Sequence, residues 1–185
     1  VEEAHVELRD GKVSLRNMIH PNGVDHARVS KVVEFNDFDA VRAALTDRDV
    51  AVVLMEPVMT NFGMIAVAEG FLDFVREETR KTGTLLIIDE THTISSGPGG
   101  YTRLHGLEPD FFVAGKAIAG GIPAGIFGVS QETAEKIWAA VPYVNPRQRQ
   151  SAHLGIGGTL AGNALTIATM KAVLESVLTP ANFEK

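Results

Sequence analysis

Leu85-Leu86-Ile87-Ile88-Asp89 and Phe111-Phe112-Val113-Ala114-Gly115-Lys116 decide how this chain folds. Each run is short, apolar and rich in β-formers, with turn-forming residues on either side, and so reads as a buried parallel strand. Each also delivers one ionisable residue where its strand ends. Open α/β sheets bind ligands at the carboxyl ends of their strands, so Asp89 and Lys116 are placed at the edge where chemistry is done.

Outward from these two strands the pattern alternates. On the amino-terminal side, Val29–Phe35 reads as a strand, and Asn36 and Asp37 offer N-cap chemistry to a helix carrying Phe38, Val41, Ala44 and Leu45. Val50–Met55 reads as a buried strand closed by Glu56-Pro57. A helix from about Gly70 has Phe71, Phe74 and Val75 as its apolar stripe and ends in Arg80 and Lys81 before Gly83. The first residues, to about Arg28, form a loop-rich lead-in with one short strand near Val6–Leu8.

Past Lys116, a further apolar run spans Ala124–Val129, and Ser130 caps a helix to about Ala140. A polar linker, Pro142–Gln150, follows, and Asn163 starts a last helix that Pro180 stops. Strands alternating with helices across short connections predict an α/β fold: three layers, a mainly parallel sheet flanked by helices.

Composition narrows the function. Apolar residues make up 45% and charged residues 22% of 185 residues, which fits about one globular domain and excludes a disordered chain. The net charge of −6 comes without any lysine–arginine cluster, which argues against nucleic acid as a partner. No apolar run is long enough to cross a bilayer. The absence of cysteine excludes disulfides, thiolate metal sites and a cysteine nucleophile, and fits a reducing cytoplasm. Val1-Glu2-Glu3-Ala4-His5 has no signal-type apolar core and no initiator methionine, so the chain reads as an internal piece of a longer protein.

Ile87-Ile88-Asp89-Glu90-Thr91-His92 admits three readings. Asp89 can hold the pyridine nitrogen of pyridoxal phosphate, with Lys116 forming a Schiff base to the cofactor aldehyde. Asp-Glu-x-His after a strand also resembles the Mg²⁺-binding box of a nucleotide hydrolase. Carboxylates at strand ends, finally, often do no more than cap a following helix or bind a nearby cation. The hydrolase needs a phosphate loop, Gly-x4-Gly-Lys-Ser/Thr, ahead of the box. Gly115-Lys116 instead lies after it, with Ala117 in place of the hydroxyl and Asp110 in place of the first glycine.

Lys116 is flanked by small and apolar residues from Phe111 to Val129, so it is expected to be desolvated, which favours the neutral, nucleophilic amine. Gly120 and Gly121 would allow a bulky group near the backbone. Gly157-Gly158-Thr159 leads into a helix and offers backbone N–H groups and a hydroxyl to a phosphate. The six histidines have no metal-ligand spacing; His92, next to the acidic pair, is the one placed to face the site.

Taken in order, Glu56-Pro57 through Asn61 and Gly63, Asp89-Glu90, Gly106-Leu107-Glu108-Pro109-Asp110, Gly115-Lys116 with Gly120-Gly121-Ile122-Pro123, and Gly158-Thr159-Leu160-Ala161-Gly162-Asn163 resemble the class III pyridoxal phosphate-dependent aminotransferases of fold type I. The chain is particularly similar to their glutamate-1-semialdehyde aminomutase branch. The resemblance implies amino transfer between an amino compound and a keto or aldehyde acceptor, or the intramolecular version that makes an aminomutase, an isomerase.

It further implies that Asp89 and Lys116 are the catalytic pair, and that Asp89, Thr91, His92, Lys116 and Thr159 bind the cofactor. Thr159 would reach the phosphate of a neighbouring subunit, giving a cytoplasmic homodimer with shared sites. Thr91 stands where the family usually has valine against the cofactor ring. Residues 1–140 would form part of the large cofactor domain. Residues 141–185 would be a linker, the threonine turn and a connecting helix toward a small domain mostly absent here, so that the piece is not expected to be active alone. A non-catalytic relative of the fold is the rival from another class, against which the presence of both Asp89 and Lys116 argues.

Overall fold

The computed structural model describes residues 6–16, 25, 29–61, 63–140 and 160–184. The described chain divides into two compact units, one of residues 1–51 and 66–84, the other of residues 52–65 and 85–185.

The first unit opens with a hairpin. Strands β1 (Val6–Arg9) and β2 (Lys12–Leu15) pair antiparallel. Asp10 and Gly11 both take positive φ, 50° and 74°, as the tight turn between twisted strands demands. The single strand expected near Val6–Leu8 is thus half of a pair. Helix α1 (Phe38–Leu45) is capped by Asp37, whose carboxylate accepts the Ala40 N–H at 2.9 Å. Helix α2 (Phe71–Thr82) ends at Gly83 in the left-handed conformation. Phe35 and Phe38 meet Phe71 edge-on, Phe38 also meets Phe74, and the Arg42 guanidinium lies 4.9 Å from the centre of the Phe74 ring.

No strand forms over 29–35, contrary to the expectation from its apolar residues. Lys31, in the middle of the run, donates to the Ala44 carbonyl at 3.0 Å and to Asp49 at 2.6 Å. The cation is thereby drawn to the carboxyl-terminal end of α1. Its hydrogen bond holds the Asp49 carboxyl below the usual carboxylate range.

The second unit is built on a four-stranded sheet in the order β3 (Val52–Met55), β4 (Leu85–Asp89), β5 (Phe111–Gly115), β6 (Gly125–Val129). The pairings β3–β4 and β4–β5 are parallel and β5–β6 is antiparallel. The sheet is mainly parallel, as its sequence predicts. β6 reverses because only residues 116–124 join it to β5, too few for the crossover that a parallel neighbour needs.

Burial alternates along β4, with Leu86 and Ile88 in the core. Asp110 ties the opposite, amino-terminal edge together. Its Oδ2 accepts the Leu86 N–H at 2.8 Å and its carbonyl accepts the Ser130 N–H at 2.9 Å. Ser130 in turn caps helix α4 (Gln131–Ala140), accepting the Thr133 N–H at 3.2 Å. A short helix α3 (Gly100–Leu104) follows the β4 loop.

Helix α5 (Ala164–Ser176) starts at Asn163, whose side chain accepts the Thr166 N–H, and a last turn α6 (Pro180–Phe183) has its proline in the first turn. Met170 of α5 packs on the cluster of Ala114, Ile118 and Ala119, where β5 runs into the 3₁₀ turn Lys116–Ala119. The linker Pro142–Gln150 and the turn Gly157-Gly158-Thr159 lie outside the described residues. Among the described residues no helix is long and apolar enough to cross a membrane.

Candidate active site

Asp89 is the last residue of β4 and Glu90 the first beyond it, and the alternation of the strand separates them. Glu90 continues the inward face of Leu86 and Ile88 and is fully buried. Its carboxylate accepts from Thr93 Oγ1 at 2.5 Å, from the Tyr101 N–H at 3.1 Å and from the Thr102 N–H. Three donors offset the cost of burying the charge and fix the start of α3 to the end of β4. Gly100 makes room for them: a Cβ there would sit 2.7 Å from Glu90 Oε2. Glu90 is therefore structural, and of the acidic pair only Asp89 is left at the sheet edge.

Asp89 is half-buried. Its Oδ1 accepts the Thr91 N–H at 2.8 Å, while Oδ2 has no partner among the described residues. Thr91 lies against the lysine segment. A Cβ built on Gly115 would be 3.6 Å from the Thr91 methyl and 3.3 Å from the Ala124 carbonyl oxygen, a tight fit where β5 ends.

Lys116 follows with φ of +48°, in the left-handed region. The turn that this begins sends Ile118 and Ala119 into the core and leaves Lys116 exposed. Desolvation of its amine, expected from its apolar neighbours, is thus not provided by this chain. Lys116 makes no hydrogen bond or ion pair with a described residue. The β4–β5 register pairs Asp89 with Val113, and Lys116 lies three residues on in the chain, one past the end of β5. A free carboxylate oxygen and a free amine therefore stand at one sheet edge without neutralising each other.

His92 belongs to the loop after Asp89, about a quarter exposed. Its Nδ1 meets the Thr60 hydroxyl and lies 3.6 Å from Glu56 Oε2. Thr60 also donates to that carboxylate. Glu56 stands just past the end of β3, as Asp89 stands at the end of β4. Its place after a strand was the available signal for a site role, and Thr60 was marked only by lying in the motif that follows it.

The structure thus brings Asp89, Thr91, His92 and Lys116 to the same edge and adds Glu56 and Thr60. Thr159 lies outside the described residues. Among the described residues no group of three histidine, cysteine or acidic side chains is placed to hold a metal ion.

The model of the class III aminotransferase family matches residues 14–185. The chain belongs to that family. Class III aminotransferases are pyridoxal phosphate enzymes, and the match displaces the nucleotide-hydrolase reading. The glutamate-1-semialdehyde 2,1-aminomutase 2 of Brevibacillus brevis is 34% identical over 168 residues, 89% of this chain and 36% of that protein.

Among solved structures, a glutamate-1-semialdehyde-aminomutase from Pseudomonas aeruginosa PAO1 superposes with a TM-score of 0.86 at 56% identity, covering 95% of this chain and 39% of that one. A lysine-to-alanine variant of such an enzyme was crystallised in complex with PMP. A β-phenylalanine aminotransferase from Variovorax paradoxus gives a TM-score of 0.68 at 31% identity, covering 83% of this chain and 34% of that one. The neighbours share the α/β fold of class III aminotransferases, and this chain spans a little over a third of the length of the aminomutases it matches.

Proposed function

We propose that the protein moves an amino group between an amino compound and a keto or aldehyde acceptor, using pyridoxal 5′-phosphate held by Lys116 and Asp89. The observation that supports this is the unpaired amine and the half-satisfied carboxylate on adjacent parallel strand ends. The donor set fits the group. An amine can bond an aldehyde, a carboxylate can hold a protonated ring nitrogen, and no ion pair between them has to be broken first.

When bound, the cofactor supplies an electron sink that makes a proton on the amine-bearing carbon of the substrate labile. Asp89 Oδ1 is fixed by the Thr91 N–H, which leaves Oδ2 to accept the ring-nitrogen proton and keep it in place. Lys116 would hold the cofactor through Nζ, and its amine is the base nearest at hand once it is free. As a free amine it then takes the proton from one carbon and returns it to another. Thr91 and His92 flank the space on the β4 side.

Thr159 belongs to this proposal as a contact to the cofactor phosphate of a neighbouring subunit in a cytoplasmic homodimer. So do residues 1–140 as part of the large domain and 141–185 as the connection out of it. Sedimentation of the full-length protein tests the dimer. An aminomutase, which returns the amino group to the same molecule, is the second reading, favoured by the names of the relatives.

The decisive experiment is borohydride reduction of the full-length protein after stoichiometric pyridoxal phosphate, followed by peptide mapping. One phosphopyridoxyl group on Lys116 is expected. Label scattered over surface lysines, or none, would overturn the proposal.

A further inference from the structure

Glu56, Thr60 and His92 come from the ends of β3 and β4 and meet through one hydroxyl. Thr60 Oγ1 is within hydrogen-bonding distance of both Glu56 Oε2 and His92 Nδ1. A hydroxyl has one proton to give, and an ionised carboxylate can only accept. The Thr60 proton therefore goes to Glu56, and the Thr60 oxygen is left to accept from His92. Nδ1 must then carry the ring proton. The Glu56 carboxylate, 3.6 Å from the same nitrogen, favours a proton there as well. In a neutral ring the lone pair is consequently on Nε2, which has no partner among the described residues.

We propose that Thr60 and Glu56 are positioning residues that hold His92 in its Nδ1–H form, so that Nε2 stands as a proton acceptor at the edge shared with Asp89 and Lys116. The placement of Nε2 beside bound cofactor rests on the function proposed above. The tautomer does not. Substitution at Thr60 acts on the site only through the ring it orients.

The test uses full-length protein without cofactor, carrying ¹⁵N-labelled histidine. The His92 resonances are those lost in His92→Gln. The ring proton is expected on Nδ1 in the unsubstituted protein, shifted toward Nε2 in Thr60→Val and back on Nδ1 in Thr60→Ser. A proton on Nε2 in the unsubstituted protein overturns the assignment, and that spectrum decides even if Thr60→Val fails to fold. An Nδ1 proton that persists in a folded protein carrying both Thr60→Val and Glu56→Gln also overturns it.

Diethylpyrocarbonate, which acylates unprotonated imidazole nitrogen, then locates Nε2. His92 is expected to be labelled in the cofactor-free protein and to lose that labelling once pyridoxal phosphate is bound. Labelling unchanged by the cofactor removes Nε2 from the site. Reduction onto Lys116, scored in the same digests, separates this result from a failure to bind cofactor, with which the placement would also fall.

Discussion

At the scale of the residue, neighbours in sequence have opposite duties. Asp89 and Glu90 are adjacent carboxylates, yet the strand period turns one to the sheet edge and the other into the core. Their substitutions should separate accordingly. Glu90→Gln keeps the shape but sets an amide among three donors, and is expected to lower the unfolding free energy by about 2–3 kcal/mol. Asp89→Asn still accepts the Thr91 N–H and is expected to stay within about 1 kcal/mol while losing transaminase activity. Denaturant titration of both variants beside an activity assay checks this, and equal destabilisation would refute the division.

The placement of Asp89 and Lys116 at one sheet edge was legible in the sequence because each ends an apolar run. Glu90 was legible in principle, by counting in twos from Leu86. The exposure of Lys116 was not, because it follows from a left-handed backbone angle at a residue that rarely adopts one. Nor was the contact of Thr60 with His92, which bridges residues 32 apart in the chain.

Among the elements, helix α5 supports the lysine turn. Asn163, Asp37 and Ser130 cap their helices as their side-chain chemistry predicts, so helix starts were readable locally. Strand partners were not: β6 runs antiparallel because of the short connection before it, and 29–35 has no strand to pair with among the described residues.

The contact of α5 with the turn can be tested at Gly120. Its φ is +58° and an added Cβ would lie 3.1 Å from Val173 Cγ2. Gly120→Ala is expected to cost about 1–2 kcal/mol and to weaken pyridoxal phosphate binding by shifting the turn that starts at Lys116. Adding Val173→Ala should return the steric part but not the backbone part, giving a coupling of about 0.5–1 kcal/mol in a double-mutant cycle. Strict additivity of the two substitutions would show that α5 does not seat the turn.

For the whole molecule, the question is which surfaces of this chain are final. The second unit leaves large apolar side chains in solvent: Phe127 of β6 is 52% exposed and Trp138 of α4 is 71% exposed. Single exposed apolar residues are ordinary, but aromatic rings bury 150–250 Å² when covered, and leaving them wet forgoes a large contribution. The chain spans 39% of the Pseudomonas aeruginosa enzyme that it superposes on. In a polypeptide of that length, other segments have the opportunity to cover these rings. Trp138 is the only tryptophan of the 185 residues and so reports on its own surroundings. The isolated chain is expected to emit at the wavelength of hydrated indole and to be quenched freely by acrylamide. Within a polypeptide of the relatives' length, with any other tryptophans replaced by phenylalanine, emission should move to the blue and quenching should fall severalfold. Identical spectra and quenching in the two settings would mean that α4 faces water in both, and that the apolar surface of this unit is not where the remainder of such a protein docks.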